Sequence, residues 1–414
     1  MTHRQPSPPG ESGEPGESGE QPARGRAAYV RTQGRPDPYA AGGHPGALES
    51  SPARSPVRAA VSTPTWASDA AGPLLDAAVG ASGTVVALRL GDERVFVASG
   101  STAAVGGTPV DPDTRFELGS LTKVLTALLL AEQAARGEVA YDDPVARFLP
   151  PGTILRTRGA PMTLLHLATH TSGLPRLPPG LLTSGSAQWC SNPYGSFTGA
   201  DLLRAVGRAR PRFAPGSRVR YSNFAVGLLG DLLARAAEPR GSDGDCGGYE
   251  HLLARRVLRP LGLAHTSCAA GLPQATGYWH GRARPAWRIP GLPAAGAARS
   301  SARDLLSLLD ALIDPDSAVG TVRTPLRAGL ADVIRPRLVV PRGTKRLGLI
   351  WYIQPRPGHD LYYHSGGTRG FSSFAGFSPQ TGVALVALTN TAPALNSTFI
   401  QQSYSALRTL ALKA

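Results

Sequence analysis

The chain has 414 residues with 43 Lys and Arg against 29 Asp and Glu, a formal net charge of +14, and 42% hydrophobic residues. That content supports a sizeable core, and no run of 18 or more apolar residues points to a membrane-spanning helix. The arginines are scattered, with no basic block interleaved with aromatics and no zinc-finger spacing, so nucleic-acid binding is set aside despite the charge.

Residues 1 to about 72 are rich in Pro, Gly, Ser, Glu and Arg, and GESGEPGESGE is low in complexity. Such a stretch buries too little apolar surface to offset its ordering entropy and is expected to be a disordered tail. Order is expected from Pro73, with residues 73–414 forming the catalytic body. The start shows no basic region followed by an apolar one. The reading is therefore cytoplasmic, or extracytoplasmic if the true start lies elsewhere.

A short helix over Leu74–Val79 precedes two strand-like runs, Thr84–Leu90 and Arg94–Ala98, joined at Gly91-Asp92 as a hairpin. A long apolar helix follows Ser120 and stops at Gly137, whose type suits a helix C-terminus. Residues 150 to 300 read as helical and loop-rich. Thr163–Thr169 is one helix, and Phe224–Ala237 is another, capped by Ser222 or Asn223 and stopped before Pro239. Gly241–Gly248 is a glycine-rich loop ahead of a helix through Leu258. A helix at about Ser301–Leu312 follows. Leu347–Ile353, Asp360–His364, Phe371–Phe377 and Val383–Thr389 then form an antiparallel meander, and a helix at Thr398–Leu412 closes the chain. The fold class is α+β. An antiparallel sheet built from both ends, about 73–150 and 300–414, is flanked by helices and interrupted by a helical subdomain at about 150–300.

His166 and His170 share helical spacing with a zinc pair, but no HExxH register or third ligand accompanies them, so both are read as packed histidines. Cys190, Cys246 and Cys268 show neither a metal motif nor a disulfide framework. No metal and no cofactor is expected.

The informative stretch is Phe116-Glu117-Leu118-Gly119-Ser120-Leu121-Thr122-Lys123. At i and i+3 on a helix start, Ser120 and Lys123 share a face. The helix is apolar almost all round, so Lys123 is expected to be buried and to lose part of its preference for the charged form. A neutral amine beside a serine is a general base beside a nucleophile. Taken alone the pair also fits a capping serine and a solvated lysine. Two features favour chemistry. Lys123, Lys345 and Lys413 are the only lysines in a chain that otherwise uses arginine, which does not deprotonate. Two partner motifs also lie downstream.

Those motifs are Tyr221-Ser222-Asn223 and His364-Ser365-Gly366. With Ser120-Leu121-Thr122-Lys123 they resemble, in order and spacing, the three motifs of serine β-lactamases and penicillin-recognising D,D-peptidases. The Tyr-x-Asn form resembles class C β-lactamases, related D,D-carboxypeptidases and esterases of the same fold. The stretches Leu165–Leu174 and Pro260-Leu261-Gly262-Leu263 look like that family too, and the likeness covers about residues 75 to 412. It implies the β-lactamase/transpeptidase-like fold and a serine hydrolase cleaving an amide or ester through an acyl-enzyme on Ser120. Lys123 and Tyr221 would move the proton, with the lysine ammonium lowering the phenol's pKa. Asn223 would hydrogen-bond Lys123 and a substrate amide. The backbone N–H groups of Ser120 and Gly367 would hold the oxyanion, with Gly366 and Gly367 allowing close approach. The third motif departs from the common pattern, because His364 stands where many β-lactamases carry lysine. A neutral histidine holds a substrate carboxylate less firmly, and Arg369 is the residue expected to supply the missing charge, if it is not simply a solvated turn residue. D,D-peptidase, D-amino-acid peptidase or esterase therefore ranks ahead of β-lactamase; a non-catalytic penicillin-binding-like module is the remaining alternative. The expected partner is a small-molecule or peptide substrate.

Overall fold

The computed structural model describes residues 28–32, 63–181, 192–237, 248–316, 324–340, 344–394 and 397–414. In chain order, strand β1 (Ala28–Thr32) and helix α1 (Thr65–Ala77) precede the hairpin β2 (Gly83–Leu90) and β3 (Glu93–Gly100). Strand β4 (Phe116–Glu117) leads through a tight turn at Gly119–Leu121 into α2 (Thr122–Ala135). Then come α3 (Leu164–Ala168), α4 (Gly199–Arg208), α5 (Asn223–Ala237) and α6 (Gly248–Leu253). A small hairpin of β5 (Gly277–Trp279) and β6 (Arg282–Arg284) is followed by α7 (Pro293–Gly296), β7 (Arg299–Ser300), α8 (Ala302–Ile313) and α9 (Thr324–Val333). The chain ends with β8 (Leu338–Val339), β9 (Arg346–Leu347), β10 (Tyr352–Arg356), β11 (His359–Gly367), β12 (Ser372–Ser378), β13 (Val383–Thr389) and α10 (Phe399–Ala411).

Nine strands form one antiparallel sheet in the order β1-β3-β2-β13-β12-β11-β10-β9-β8. Strand β13 pairs with β2, Val386 opposite Ala87, so the two ends of the chain close one sheet. Alternation along each strand sends side chains to two cores. Val383, Leu385 and Ala387 pack with α1 and α10, whereas Ala384, Val386 and Leu388 face the helical side. Two-residue connection at Gly91-Asp92 is allowed by the left-handed Gly91, φ +57. Beside it, Arg89 and Arg94 both bond Asp310 of α8, at 2.8 and 2.6 Å, and fasten that helix to the sheet.

The tail boundary needs correction. Two elements fall within 1–72: β1 adds to the open edge of β3, and α1 begins at Thr65. Edge strands offer unpaired backbone groups, and Ala28-Tyr29-Val30 has the residue types that pair with them. Helix α1 buries Ala67, Ala70, Ala71 and Leu74, a spacing spread over a boundary drawn at Pro73. The strand expected over Leu347–Ile353 is broken. Ile350 adopts φ +68 and its N–H bonds the Ala168 carbonyl at 3.0 Å, so Leu349, Ile350 and Trp351 all enter the core. The glycine-rich loop expected at Gly241–Gly248 lies, apart from Gly248, outside the described residues.

Helix α2 is buried on every side from Thr122 to Gln133. It lies against α5, α7 and α9. Gly329 of α9 permits this, since a Cβ there would stand 2.9 Å from the Glu132 backbone nitrogen. Gly137, φ +73, ends the helix as its residue type suggests.

Candidate active site

Three segments converge at the start of α2. Ser120 occupies the tight turn before the helix and is partly exposed, while Lys123 is completely buried. Lys123 Nζ lies 3.1 Å from Ser120 Oγ and 2.6 Å from the Ala295 carbonyl oxygen at α7. The Tyr221 hydroxyl donates to Ser120 Oγ at 2.5 Å. Tyr221 is placed by the start of α5, where Ser222 Oγ accepts from the Ala225 N–H at 2.9 Å and donates to the Pro175 carbonyl at 2.7 Å. Of the two capping candidates, Ser222 does the capping.

The strand edge arrives by backbone contact. A Cβ on Gly366 would stand 2.0 Å from the Leu118 carbonyl oxygen and 2.7 Å from the Leu121 nitrogen; one on Gly119, φ +51, would stand 2.4 Å from the Gly367 carbonyl oxygen. The Ser120 turn and the end of β11 therefore touch main chain to main chain, and only glycine fits. Ser373 Oγ, opposite Gly366 on β12, donates to the Leu118 carbonyl at 2.8 Å and fastens the same turn.

Burial drives the protonation states. It pushes Lys123 well below its ordinary value, helped by the nearby Arg176 charge. It pushes Tyr221 up to about 12, with the Ser120 hydrogen bond and Arg176 acting in the opposite direction. Lys123 is not among the causes of the Tyr221 shift, so a phenol lowered by a neighbouring lysine ammonium is not found. Burial thus moves the amine toward its neutral form and makes the phenol hold its proton more firmly.

The remaining expected residues part company. No hydrogen bond joins Asn223 to Lys123, whose bonds go to Ser120 and Ala295. The Asn223 amide donates to the Tyr194 hydroxyl at 3.1 Å, and its Oδ1 is buried without a hydrogen-bond partner. His364 is 2% exposed, stacks on Tyr352 at 5.8 Å between centroids, and has no hydrogen-bond partner at either ring nitrogen. Burial pushes its pKa down to about 3, with Lys123 adding to the shift, so it is a neutral ring. Ser365 follows it on β11, paired with Phe374. Arg369, expected to supply the charge that His364 lacks, stacks its guanidinium over the Trp279 ring at 5.3 Å. His166 bonds Thr163 at the start of α3, and His170 is buried against the Tyr221 ring at 4.6 Å; both pack within the fold. Among the described residues no group of three or more His, Cys, Asp or Glu is arranged to hold a metal.

Several contributors lay outside the sequence reading. Tyr194 approaches from the loop before α4, and the Ala295 carbonyl from α7. Arg176, just past the Leu165–Leu174 stretch, carries its guanidinium over the Tyr221 ring at 5.3 Å. Glu117 is buried beside the Ser120 turn. It accepts from Gln274 (3.0 Å), the Trp287 N–H (2.6 Å) and Thr368 Oγ1 (2.8 Å), and Arg299 lies 4.0 Å away. Arg299 in turn bonds Gln274 and the Ala297 and Trp287 carbonyls. Glu117 stood in plain view next to Gly119-Ser120, but its partners come from distant parts of the chain.

The profile of the family described as Beta-lactamase matches residues 73–403. The chain belongs to the beta-lactamase family. Similar proteins within it include the D-alanyl-D-alanine-carboxypeptidase/endopeptidase AmpH of Escherichia coli, 28% identical over 327 residues that cover 76% of this chain and 80% of that protein. A beta-lactamase of Escherichia coli is 37% identical over 159 residues, 38% of this chain and 36% of that protein. Esterase EstB of Burkholderia gladioli is 32% identical over 213 residues, 48% of this chain and 50% of that protein. The α+β architecture is that of the family, and the chain is a beta-lactamase-family serine hydrolase.

Proposed function

We propose that Ser120 is the residue acylated, in a hydrolase of the class C-related type marked by Tyr221-Ser222-Asn223, acting on an ester or on a D-amino-acid amide. The observation that carries this is the pair of distances at one oxygen: Tyr221 OH at 2.5 Å and Lys123 Nζ at 3.1 Å from Ser120 Oγ. In the neutral form, toward which burial shifts it, the amine would keep one N–H on the Ala295 carbonyl and present its lone pair to the serine hydroxyl. As Oγ attacks the carbonyl carbon, its proton moves to Lys123 and the carbonyl oxygen takes the negative charge. The N–H groups of Ser120 and Gly367 are the donors assigned to that oxygen; losing one such donor costs on the order of 10² to 10³ in rate. When the intermediate collapses, the bond to the leaving group breaks and Tyr221 donates the proton that group needs. Lys123 then restores the phenol. Water repeats the sequence in reverse to release the acid, with the enzyme's protons restored.

The preference for an ester or peptide over a β-lactam rests on His364. A neutral, sealed imidazole offers little to a substrate carboxylate at the position where many β-lactamases have lysine. The similarity to AmpH over most of both chains, and to EstB over about half, supports the same order.

The test is intact-mass analysis after incubation with a fluorophosphonate, beside turnover of p-nitrophenyl acetate. Wild type is expected to gain one adduct. Ser120→Ala is expected to gain none and to lose at least ~10³-fold in kcat with unchanged thermal stability. Equal labelling of both proteins overturns the assignment.

A further inference from the structure

We propose that Arg176 is the residue that selects substrates bearing a carboxylate on the leaving group. The inference rests on the acyl-transfer reading above, because that reading places the departing group beside Tyr221.

A substrate carboxylate needs a cation, and the third motif does not supply one. His364 is buried and neutral, and Arg369 is laid over Trp279. Arg176 comes from the other side of the site and is exposed. Its backbone is fixed, since its carbonyl accepts the N–H groups of Asn223 at 2.9 Å and Phe224 at 3.3 Å. The residue is thereby tied to the start of α5, next to Tyr221 in sequence. Its guanidinium stands over the Tyr221 ring at 5.3 Å. No ion pair or side-chain hydrogen bond joins it to another described residue, so its N–H fork is available to a ligand.

The local charge balance points the same way. The Arg176 charge is felt by Lys123, Tyr221 and Tyr194, and no carboxylate among the described residues acts on any of these three. An exposed guanidinium with no carboxylate acting beside it among the described residues attracts an anion. The planar fork matches a carboxylate with two parallel hydrogen bonds, which an ammonium cannot do. A leaving group receiving its proton from Tyr221 presents its own carboxylate on the side where that fork stands.

The experiment compares two aryl esters, 3-carboxyphenyl acetate and its methyl ester, with wild type, Arg176→Gln, Arg176→Lys and Ser120→Ala. Wild type is expected to favour the carboxylate ester in kcat/KM. Arg176→Gln is expected to cut that preference about 10- to 100-fold, chiefly through KM, the range set by losing hydrogen bonds to a charged group. Arg176→Lys is expected to keep part of it. The proposal falls if wild type shows no preference, or if Arg176→Gln slows both esters by the same factor, which marks a residue that merely supports Tyr221. Failure of the underlying reading looks different: Ser120→Ala then hydrolyses both esters as fast as wild type.

Discussion

Under α1 and α10 the sheet buries Leu74, Leu88, Phe374, Leu385, Phe399 and Leu407, an apolar layer, while its other face looks toward a core that also encloses Glu117, Lys123, His170, Arg299 and His364. Both faces are equally dry, yet they bury different chemistry. Apolar burial contributes to stability roughly in proportion to area, whereas a buried charge costs free energy unless paired and hydrogen-bonded. The first face is a packing surface. The second carries polar groups that packing alone does not ask for, and they gather around Ser120. The difference teaches that the pleat of the same strands sends apolar packing to one side and packing mixed with buried polar groups to the other.

This contrast is open to attack from both sides. Replacing Glu117 with Ala is expected to have the largest effect. It leaves Arg299 buried without its carboxylate and frees Thr368, Gln274 and the Trp287 N–H, at a cost of about 3–5 kcal/mol. Urea unfolding reads the loss, and kcat per folded molecule should fall as well, since Glu117 braces the turn that holds Ser120. Leu407→Ala on the opposite face is expected to cost about 3 kcal/mol through a cavity against Gly376, while kcat per folded molecule stays near wild type. A catalytic defect in that variant would erase the division between the two faces.

A third handle is the dependence on pH. His364 is held near 3 when folded against an ordinary value near 6.5, so between those limits the unfolded chain binds the proton and the folded one does not. The stability it contributes is complete above about pH 6.5 and is lost as pH falls toward 3. His170, also pushed down by burial, adds to the same slope. Thermal midpoints between pH 7 and 4 are expected to fall less steeply in His364→Asn than in wild type; identical slopes would show that this imidazole is not kept neutral by the fold.

What could be read in advance followed from short-range patterns. The hairpin at Gly91-Asp92, the apolar helix after Ser120, the meander from Asp360 and the closing helix each rest on local periodicity and turn chemistry, and the structure has them. The meeting of the three motifs at Ser120 was expected because their order in the chain resembles that of a known family. What escaped is long-range. The Glu117–Arg299 network, the turn of Asn223 toward Tyr194 and the stacking of Arg176 on Tyr221 depend on which loops end up adjacent. The break at Ile350 escaped because Leu349, Ile350 and Trp351 have the residue types of a strand and are diverted by a bond to Ala168. The protonation of Tyr221 was misjudged for a related reason: sequence names the neighbours of a phenol but not how much water they leave it.

The glycine-on-glycine seam between the Ser120 turn and β11 has a further consequence. Because no side chain separates Gly119 from Gly367 or Gly366 from Leu118, the spacing between hydroxyl and strand is a property of the main chain. Mutational drift in surrounding residues can reshape what enters the cleft without stretching that gap. A fold gauged in this way can pass among peptidase, esterase and lactamase duties by exchanging peripheral loops, the reactive centre keeping one calibre throughout.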